Sequence, residues 1–247
     1  VYILVDQLFM IMLTSGTLRL TKSSNITLLD GFEEGAWWVQ DVSASLPVAL
    51  LGNIKGKHII DLCAAPGGKT AQLVSRGAKV IAIERSANRL KRLKENLSRL
   101  KMTAETFCCD ATQWTSYKKA DAVLLDAPCS STGAIRRHPD IPYLKKQKDV
   151  EKLSNIQYRL LKAALKMVKP GGMVVFCTCS LQPEEGPELI KKVLETHSSF
   201  RLEAIKPSEI GDLEELIDDD GTIRCLPYNL AEQGGMDGFF IARLISD

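Results

Sequence analysis

The chain has 247 residues, 45% hydrophobic and 25% charged, with a net charge of +2. That length holds one substantial core, and the composition is that of an ordinary soluble globular protein. So weak a positive charge permits a nucleic-acid partner without demanding one, because any basic footprint must be local. Seven cysteines without the spacing of a small secreted domain exclude a disulfide scaffold and predict free thiols in a reducing, cytoplasmic setting.

Residues 1–13 are apolar enough to raise a signal peptide or a membrane span. Asp6 and Gln7 interrupt the run, no basic segment precedes it, and it is too short to cross a bilayer, so a packed strand or helix is expected. Residues 1–30 read as an N-terminal remnant or extension. Ser15-Gly16 and residues 21–25 carry turn chemistry with little periodic pattern, and the Val1 start fits a piece of a longer protein. Residues 58–62 form a short β-rich run carrying Asp61, 69–75 reads as a helix, and 79–84 as a second buried strand. Over 87–100, Leu90, Leu93, Leu97 and Leu100 fall on one helical face. Strands are predicted at 104–109 and 122–126, separated by a loop containing Trp114. A long helix follows over 148–168, ended by Lys169-Pro170-Gly171-Gly172. Residues 173–177 give the next strand, 184–195 the next helix and 238–244 a last strand. This alternation predicts an α/β protein with a doubly wound, mainly parallel sheet.

Ligands of such sheets sit beyond the carboxyl ends of the strands, near the switch in strand order. The unusual residues cluster there: 61–69, Glu84, Asp110, 126–133 and 178–180 all close apolar runs. In Asp61-Leu62-Cys63-Ala64-Ala65-Pro66-Gly67-Gly68-Lys69-Thr70, small residues and two glycines let backbone approach a ligand, and a helix start follows. Gly68-Lys69-Thr70 matches the end of a nucleotide-triphosphate loop. That motif, however, needs a glycine where Cys63 stands, and the three spaced glycines of a dinucleotide turn are absent too. Glu84 at the second strand end suits ribose hydroxyls, and Asp110 at the third could face an adenine amino group; together they favour an adenosine cofactor. Three histidines and an isolated Cys177-Thr178-Cys179 give no metal site.

Asp126-Ala127-Pro128-Cys129-Ser130-Ser131-Thr132-Gly133 follows the fourth strand and Cys177-Thr178-Cys179-Ser180 the fifth. Neighbouring strands end side by side, so Cys129 and Cys179 should face one pocket, whereas Cys108 and Cys177 read as buried structural cysteines. Spacing alone leaves open which of the two loop cysteines attacks.

The segments DLCAAPGGKT, DAPCSSTG and TCSLQPEEG, with GFEEGAWWVQD from Gly31 and DGFFIARL from Asp237, together resemble the cytosine-5 RNA methyltransferases of the Sun/Fmu (RsmB-like) family. The resemblance runs from Gly31 to the end. It implies a Rossmann-like S-adenosylmethionine-dependent methyltransferase catalytic domain over 31–247, with an antiparallel last strand. It further implies S-adenosylmethionine bound by Cys63, Ala64, Ala65, Pro66, Gly67, Gly68 and Lys69, completed by Glu84, Asp110 and Asp126. Cys179 is then the covalent nucleophile and Cys129 the partner that helps release product. Cytosine carbon-5 is too weakly nucleophilic to take a methyl group until a thiolate adds at carbon-6. Lys69 is a candidate to favour that thiolate, and Asp126 to bond or protonate the N3 edge.

The substrate implied is RNA, ribosomal of the 16S type, acted on by a monomer without metal or membrane. Transfer RNA is one alternative; a catalytically weak RNA-binding or ribosome-assembly factor is another. An amino-group methyltransferase needs no thiol, and Cys129 after Pro128 argues against it. Glu84 stands where the family more often has Asp, and no NusB-like RNA-binding domain is visible. Arg136, Arg137 and His138 are expected at the pocket entrance, holding phosphates. The charges over 89–101 are read as an exposed helix face, Trp37 and Trp38 as core packing, and Gln40 and Asp41 as nearer the cofactor.

Overall fold

The computed structural model describes residues 10–14, 16–22 and 24–247. The apolar run expected over 1–13 therefore lies largely outside the described residues. Its end forms β1 (Met10–Met12), which pairs antiparallel with β2 (Leu18–Leu20). Leu13 in the turn is buried in the main core, so this hairpin packs on the body that follows. Among the described residues no helix is long and apolar enough to cross a membrane.

Helix α1 (Val42–Ala49) is capped by Asp41, whose carboxylate accepts from the Ser43 amide at 3.0 Å. There follow β3 (His58–Leu62), α2 (Gly68–Ser75), β4 (Lys79–Glu84), α3 (Ala87–Arg99), β5 (Glu105–Cys108) and β6 (Ala120–Asp126). The second half contains α4 (Ile141–Leu144), α5 (Gln147–Met167), β7 (Val168–Thr178), α6 (Pro187–Thr196), β8 (Phe200–Leu202), β9 (Ile223–Cys225) and β10 (Phe239–Ser246). The sheet runs β5-β4-β3-β6-β7-β10-β8, with β9 also on β10. It is parallel from β5 to β7 and antiparallel where β10 meets β7, as expected of the doubly wound fold with a reversed last strand. The chain winds outward from β3 through β4 to β5, then returns to β6 on the other side of β3. The crevice between the loops leaving β3 and β6 is therefore the switch point.

Successive side chains of the inner strands point to opposite faces and both faces are covered, so the strands are apolar along most of their length, with the acidic residues Asp61, Glu84 and Asp126 gathered toward their carboxyl ends. Ile59, Leu124, Val175 and Ile241 face one layer with Leu46 and Val48 of α1 and Leu73 of α2. Ile60, Leu125, Phe176 and Phe240 face the other with Leu160, Leu161 and Leu165 of α5 and Ile190 and Val193 of α6. Each such buried side chain contributes about 1.5–3 kcal/mol. The leucine stripe of α3 is buried as its spacing requires and sits under the β3–α2 loop with Ala64 and Ala65.

Three local expectations change. The Lys169-Pro170-Gly171-Gly172 segment is not a loop between helix and strand. It is an excursion inside β7, between Val168 paired to Ala120 and Met173 paired to Ala122, and Gly171 takes φ 70°. The helix expected over 184–195 begins later. Pro183–Glu185 is a single tight turn, Gly186 breaks away at φ −138° and ψ −112°, and Pro187 starts α6, where its missing N–H costs nothing. Cys108 is exposed, not buried, because β5 is the edge strand.

Candidate active site

The loop from Cys63 to Gly67 is shaped by backbone no ordinary strand adopts: Cys63 has φ 60° and Gly67 φ 104°. A side chain at Gly67 would be strained and would approach Leu93 of α3 to 3.2 Å, so the leucine stripe fixes the height of the loop above the sheet. Arg89 ties the same loop to α3, its guanidinium donating to the Ala65 carbonyl at 2.6 Å, and Asn96 donates to Pro66 at 2.8 Å. Arg89 therefore has a structural task that an exposed helix face does not predict. Arg99 differs in the same way: it donates to the carbonyls of Phe32 and Trp37 and stacks on the Phe32 ring at 4.1 Å. That clamp holds the segment carrying both tryptophans, which are half-buried; Trp38 packs beside the α3 core. Gln40 lies next to Gly68, where the β3–α2 loop enters α2, and donates to Gln72 of that helix at 3.1 Å.

The acidic strand ends fit an adenosine-type ligand. Glu84 is buried; one oxygen accepts from the Ser86 amide at 2.8 Å, while the other has no hydrogen-bond donor and only Arg89 at 3.6 Å. An acceptor left so inside a protein is costly unless something else donates to it, and ribose hydroxyls can. Asp110 is less enclosed, and hydrogen bonds from the Thr112 hydroxyl and amide hold its carboxyl below the usual range. Burial pushes the Asp61 carboxyl up to about 7, against the pull of the Thr70 hydroxyl at 2.6 Å and helped by the nearby Asp126 charge. Asp61 thus anchors the start of α2.

Lys69 and Asp126 come together across the switch point, Nζ to Oδ2 at 2.8 Å. Burial, the largest single influence, disfavours the ammonium, but the charge and hydrogen bond of Asp126 together with the nearby Cys177 and Asp61 outweigh it and hold the Lys69 pKa above its ordinary value. Phe239 of β10 lies under the ammonium, 5.2 Å from ring centre to Nζ.

Beyond this pair the two cysteine loops meet. Cys129 Sγ and Cys179 Sγ are 3.4 Å apart, both as free thiols, and the Ser131 hydroxyl lies 3.6 Å from Cys179. The shared proton splits the pair: the hydrogen bond and burial push the Cys129 thiol up, while the same hydrogen bond pulls the Cys179 thiol down. Cys63 is driven up to about 12, first by burial and then by Asp126, and burial likewise raises Cys177. Cys179 is the thiol of this site whose environment favours the thiolate. The two loops are held in contact at Gly133, whose amide donates to the Cys179 carbonyl at 2.9 Å and whose carbonyl accepts from Gly238 at 2.8 Å. A Cβ at position 133 would fall 2.0 Å from the Gly238 carbonyl oxygen, so no side chain fits there.

Arg136 and Arg137 are not free cations. Both reach buried Asp237, Arg137 through a fork and Arg136 at 3.8 Å, and the Asp237 amide donates to Asp41 at 3.1 Å. Arg137 stays within electrostatic reach of Cys179, and His138 is exposed. Past it come exposed Tyr143, Lys145 and Lys146, which periodicity did not single out. Ser131, Phe239 and Asp237 were missed as well. No sequence period marks them; only the quoted segments around them did.

Residues 48–245 match the family described as 16S rRNA methyltransferase RsmB/F. Over 232 residues the chain is 43% identical to ribosomal RNA small subunit methyltransferase B of Vibrio cholerae, covering 92% of this chain and 50% of that protein. The corresponding protein of Erwinia tasmaniensis is 41% identical, at 92% and 51% coverage. The chain thus spans about half the length of these relatives. Among solved structures, NSun6 from Pyrococcus horikoshii with SFG is 31% identical with TM-score 0.74, covering 93% of this chain and 59% of that one. A methyltransferase homolog protein from Pyrococcus horikoshii aligns with TM-score 0.81 at 27% identity, over 100% and 82% of the two chains.

Proposed function

The chain belongs to the 16S rRNA methyltransferase RsmB/F family, and we propose that it methylates carbon-5 of a cytosine in small-subunit ribosomal RNA, with S-adenosylmethionine as donor and Cys179 as nucleophile. The observation that carries this reading is the pair of free thiols, 3.4 Å apart, at the mouth of an adenosine-type site. Methylation of an amino group has no use for such a pair. S-adenosylmethionine supplies an electrophilic methyl group when bound, and an analogue of it, SFG, accompanies the similar NSun6 structure.

The chain's own residues then divide the work. The Cys63–Lys69 loop and the unpaired oxygen of Glu84 hold the adenosine end, with Asp110 beside them. The Cys179 thiolate adds to carbon-6 of an unstacked cytosine, making carbon-5 electron-rich enough to take the methyl group. A base then takes the carbon-5 proton, the carbon–hydrogen electron pair restores the ring double bond, and the carbon–sulfur pair returns to Cys179, which frees the methylated base. Cys129, whose thiol is the more protonated of the pair, assists that release. Asp126, its geometry fixed by Lys69, accepts from the cytosine amino group, a bond that uracil cannot offer. His138, exposed Tyr143 and Lys145, and the outward edges of Arg136 and Arg137 are proposed to meet the RNA strand, by stacking and by phosphate contacts.

Incubation with small-subunit ribosomal RNA and labelled S-adenosylmethionine, followed by digestion to nucleosides, should place the label in 5-methylcytidine. Label in an amino-methylated nucleoside would refute the carbon-5 assignment. Glu84→Ala should weaken S-adenosylmethionine binding about 10- to 100-fold by calorimetry, as expected for a lost charge-assisted hydrogen bond. Unchanged affinity would remove Glu84 from the cofactor site.

A further inference from the structure

We propose that Glu185 is the positioning residue that sets the two cysteine loops against each other, an inference that rests on the two-thiol reading above. Glu185 is fully buried in the Pro183–Glu185 turn, after the Cys179 loop. Its Oε1 accepts from the Ser130 amide at 3.0 Å and the Gln157 amide at 2.8 Å; its Oε2 accepts from the Ser180 hydroxyl at 2.6 Å and from the Ser130 hydroxyl. Ser130 directly follows Cys129, and Ser180 directly follows Cys179. One carboxylate therefore holds the neighbours of both thiols, across fifty positions of chain.

Gln157 extends the clamp to α5, since the same amide nitrogen donates to the Pro128 carbonyl at 2.9 Å. Ser130, Ser180 and Gln157 are all completely buried, so water cannot substitute for a lost partner. Every group aimed at the carboxylate is a donor. A glutamine can keep one oxygen for the two amides and let the serine hydroxyls turn to accept from its NH2 group; an alanine leaves the Ser130 amide unpaired and the Gln157 amide with only the Pro128 carbonyl. The thiol pair depends on a fixed separation, because Cys129 must reach Cys179 to tune it. Glu185 touches neither substrate nor cofactor. It acts through the loops.

The test uses the full chain with Glu185→Gln, Glu185→Ala, Ser180→Ala and, in parallel, Cys179→Ala. Glu185→Gln should lower kcat on the order of 100-fold, the loss expected from displacing a reacting group by about 1 Å. S-adenosylmethionine affinity and the thermal midpoint should stay near the parent's. The pH midpoint for iodoacetamide alkylation of Cys179 should rise toward that of an ordinary thiol as Cys129 moves away. Glu185→Ala should be worse than Glu185→Gln, and Ser180→Ala milder in the same direction. If the Glu185 variants fail to fold, Ser180→Ala, which leaves the carboxylate and both amide bonds in place, decides the matter by the same alkylation profile. A parental kcat and alkylation profile would overturn the proposal, as would a kcat loss that merely follows lost folding or cofactor binding. An active Cys179→Ala would instead sink the two-thiol reading, whereas an inactive one beside a normal Glu185→Gln would sink the positioning role alone.

Discussion

Cys179→Ala is expected to reduce methyl transfer on the order of 10⁴-fold or more, the scale on which removing a covalent nucleophile acts. No other group at the site can replace it. Burial and the Asp126 charge hold Cys63 up at about 12, burial raises Cys177, and Cys129 is raised by the hydrogen bond it shares with Cys179. The side chain is only partly buried and caps no helix, so its loss should leave the fold and the cofactor loop intact. Single-turnover transfer of labelled methyl to RNA measures the effect, and calorimetry with S-adenosylmethionine separates it from binding. A variant retaining a tenth of the parent rate would rule out Cys179 as the attacking atom.

Cys129→Ala should behave differently: RNA is expected to become covalently attached to the chain while turnover falls by roughly 100-fold, a typical loss for one proton-transfer group. Removing Cys129 costs Cys179 the hydrogen bond that does most to favour its thiolate, but Ser131 at 3.6 Å and Lys69 still act in that direction, so addition and methylation proceed more slowly and still outrun release. What disappears is the second thiol at 3.4 Å, and with it the assistance to release. The adduct should show as a band retarded on a denaturing gel and sensitive to ribonuclease. Rapid turnover without such a band would free Cys129 from the release step.

The parts legible in the sequence were those with period and length. The β3, β4 and β6 strands, the leucine face of α3 and the long α5 all repeat often enough to be read, and the carboxylates and cysteines at their ends came with them. Strands of three residues such as β8 and β9 offer too few positions for alternation to show, and Pro47 hides α1. Cys108 and Cys177 look alike as thiols closing apolar runs. Only sheet order, with β5 at the edge and β7 inside, separates an exposed cysteine from a buried one. Charge was the least readable property. Arg89 and Arg99 resemble their solvated neighbours on α3, yet each reaches across to another segment's carbonyls. Glu184 and Glu185 are adjacent and identical; the first takes a hydrogen bond from exposed Gln147, and the second is buried under both cysteine loops. Such roles depend on which loops the sheet brings together, which no local pattern records.

The covalent assignment is tested by RNA carrying 5-fluorocytidine at the target position. Fluorine at carbon-5 cannot leave as a proton does, so an adduct formed after methylation has no exit and stalls. Digestion of the trapped complex of the unsubstituted chain, followed by peptide mass analysis, identifies the linked residue. The Cys179 peptide should carry the methylated, fluorinated nucleotide. A nucleotide on Cys129, or methyl transfer with no trapped peptide, would contradict the mechanism.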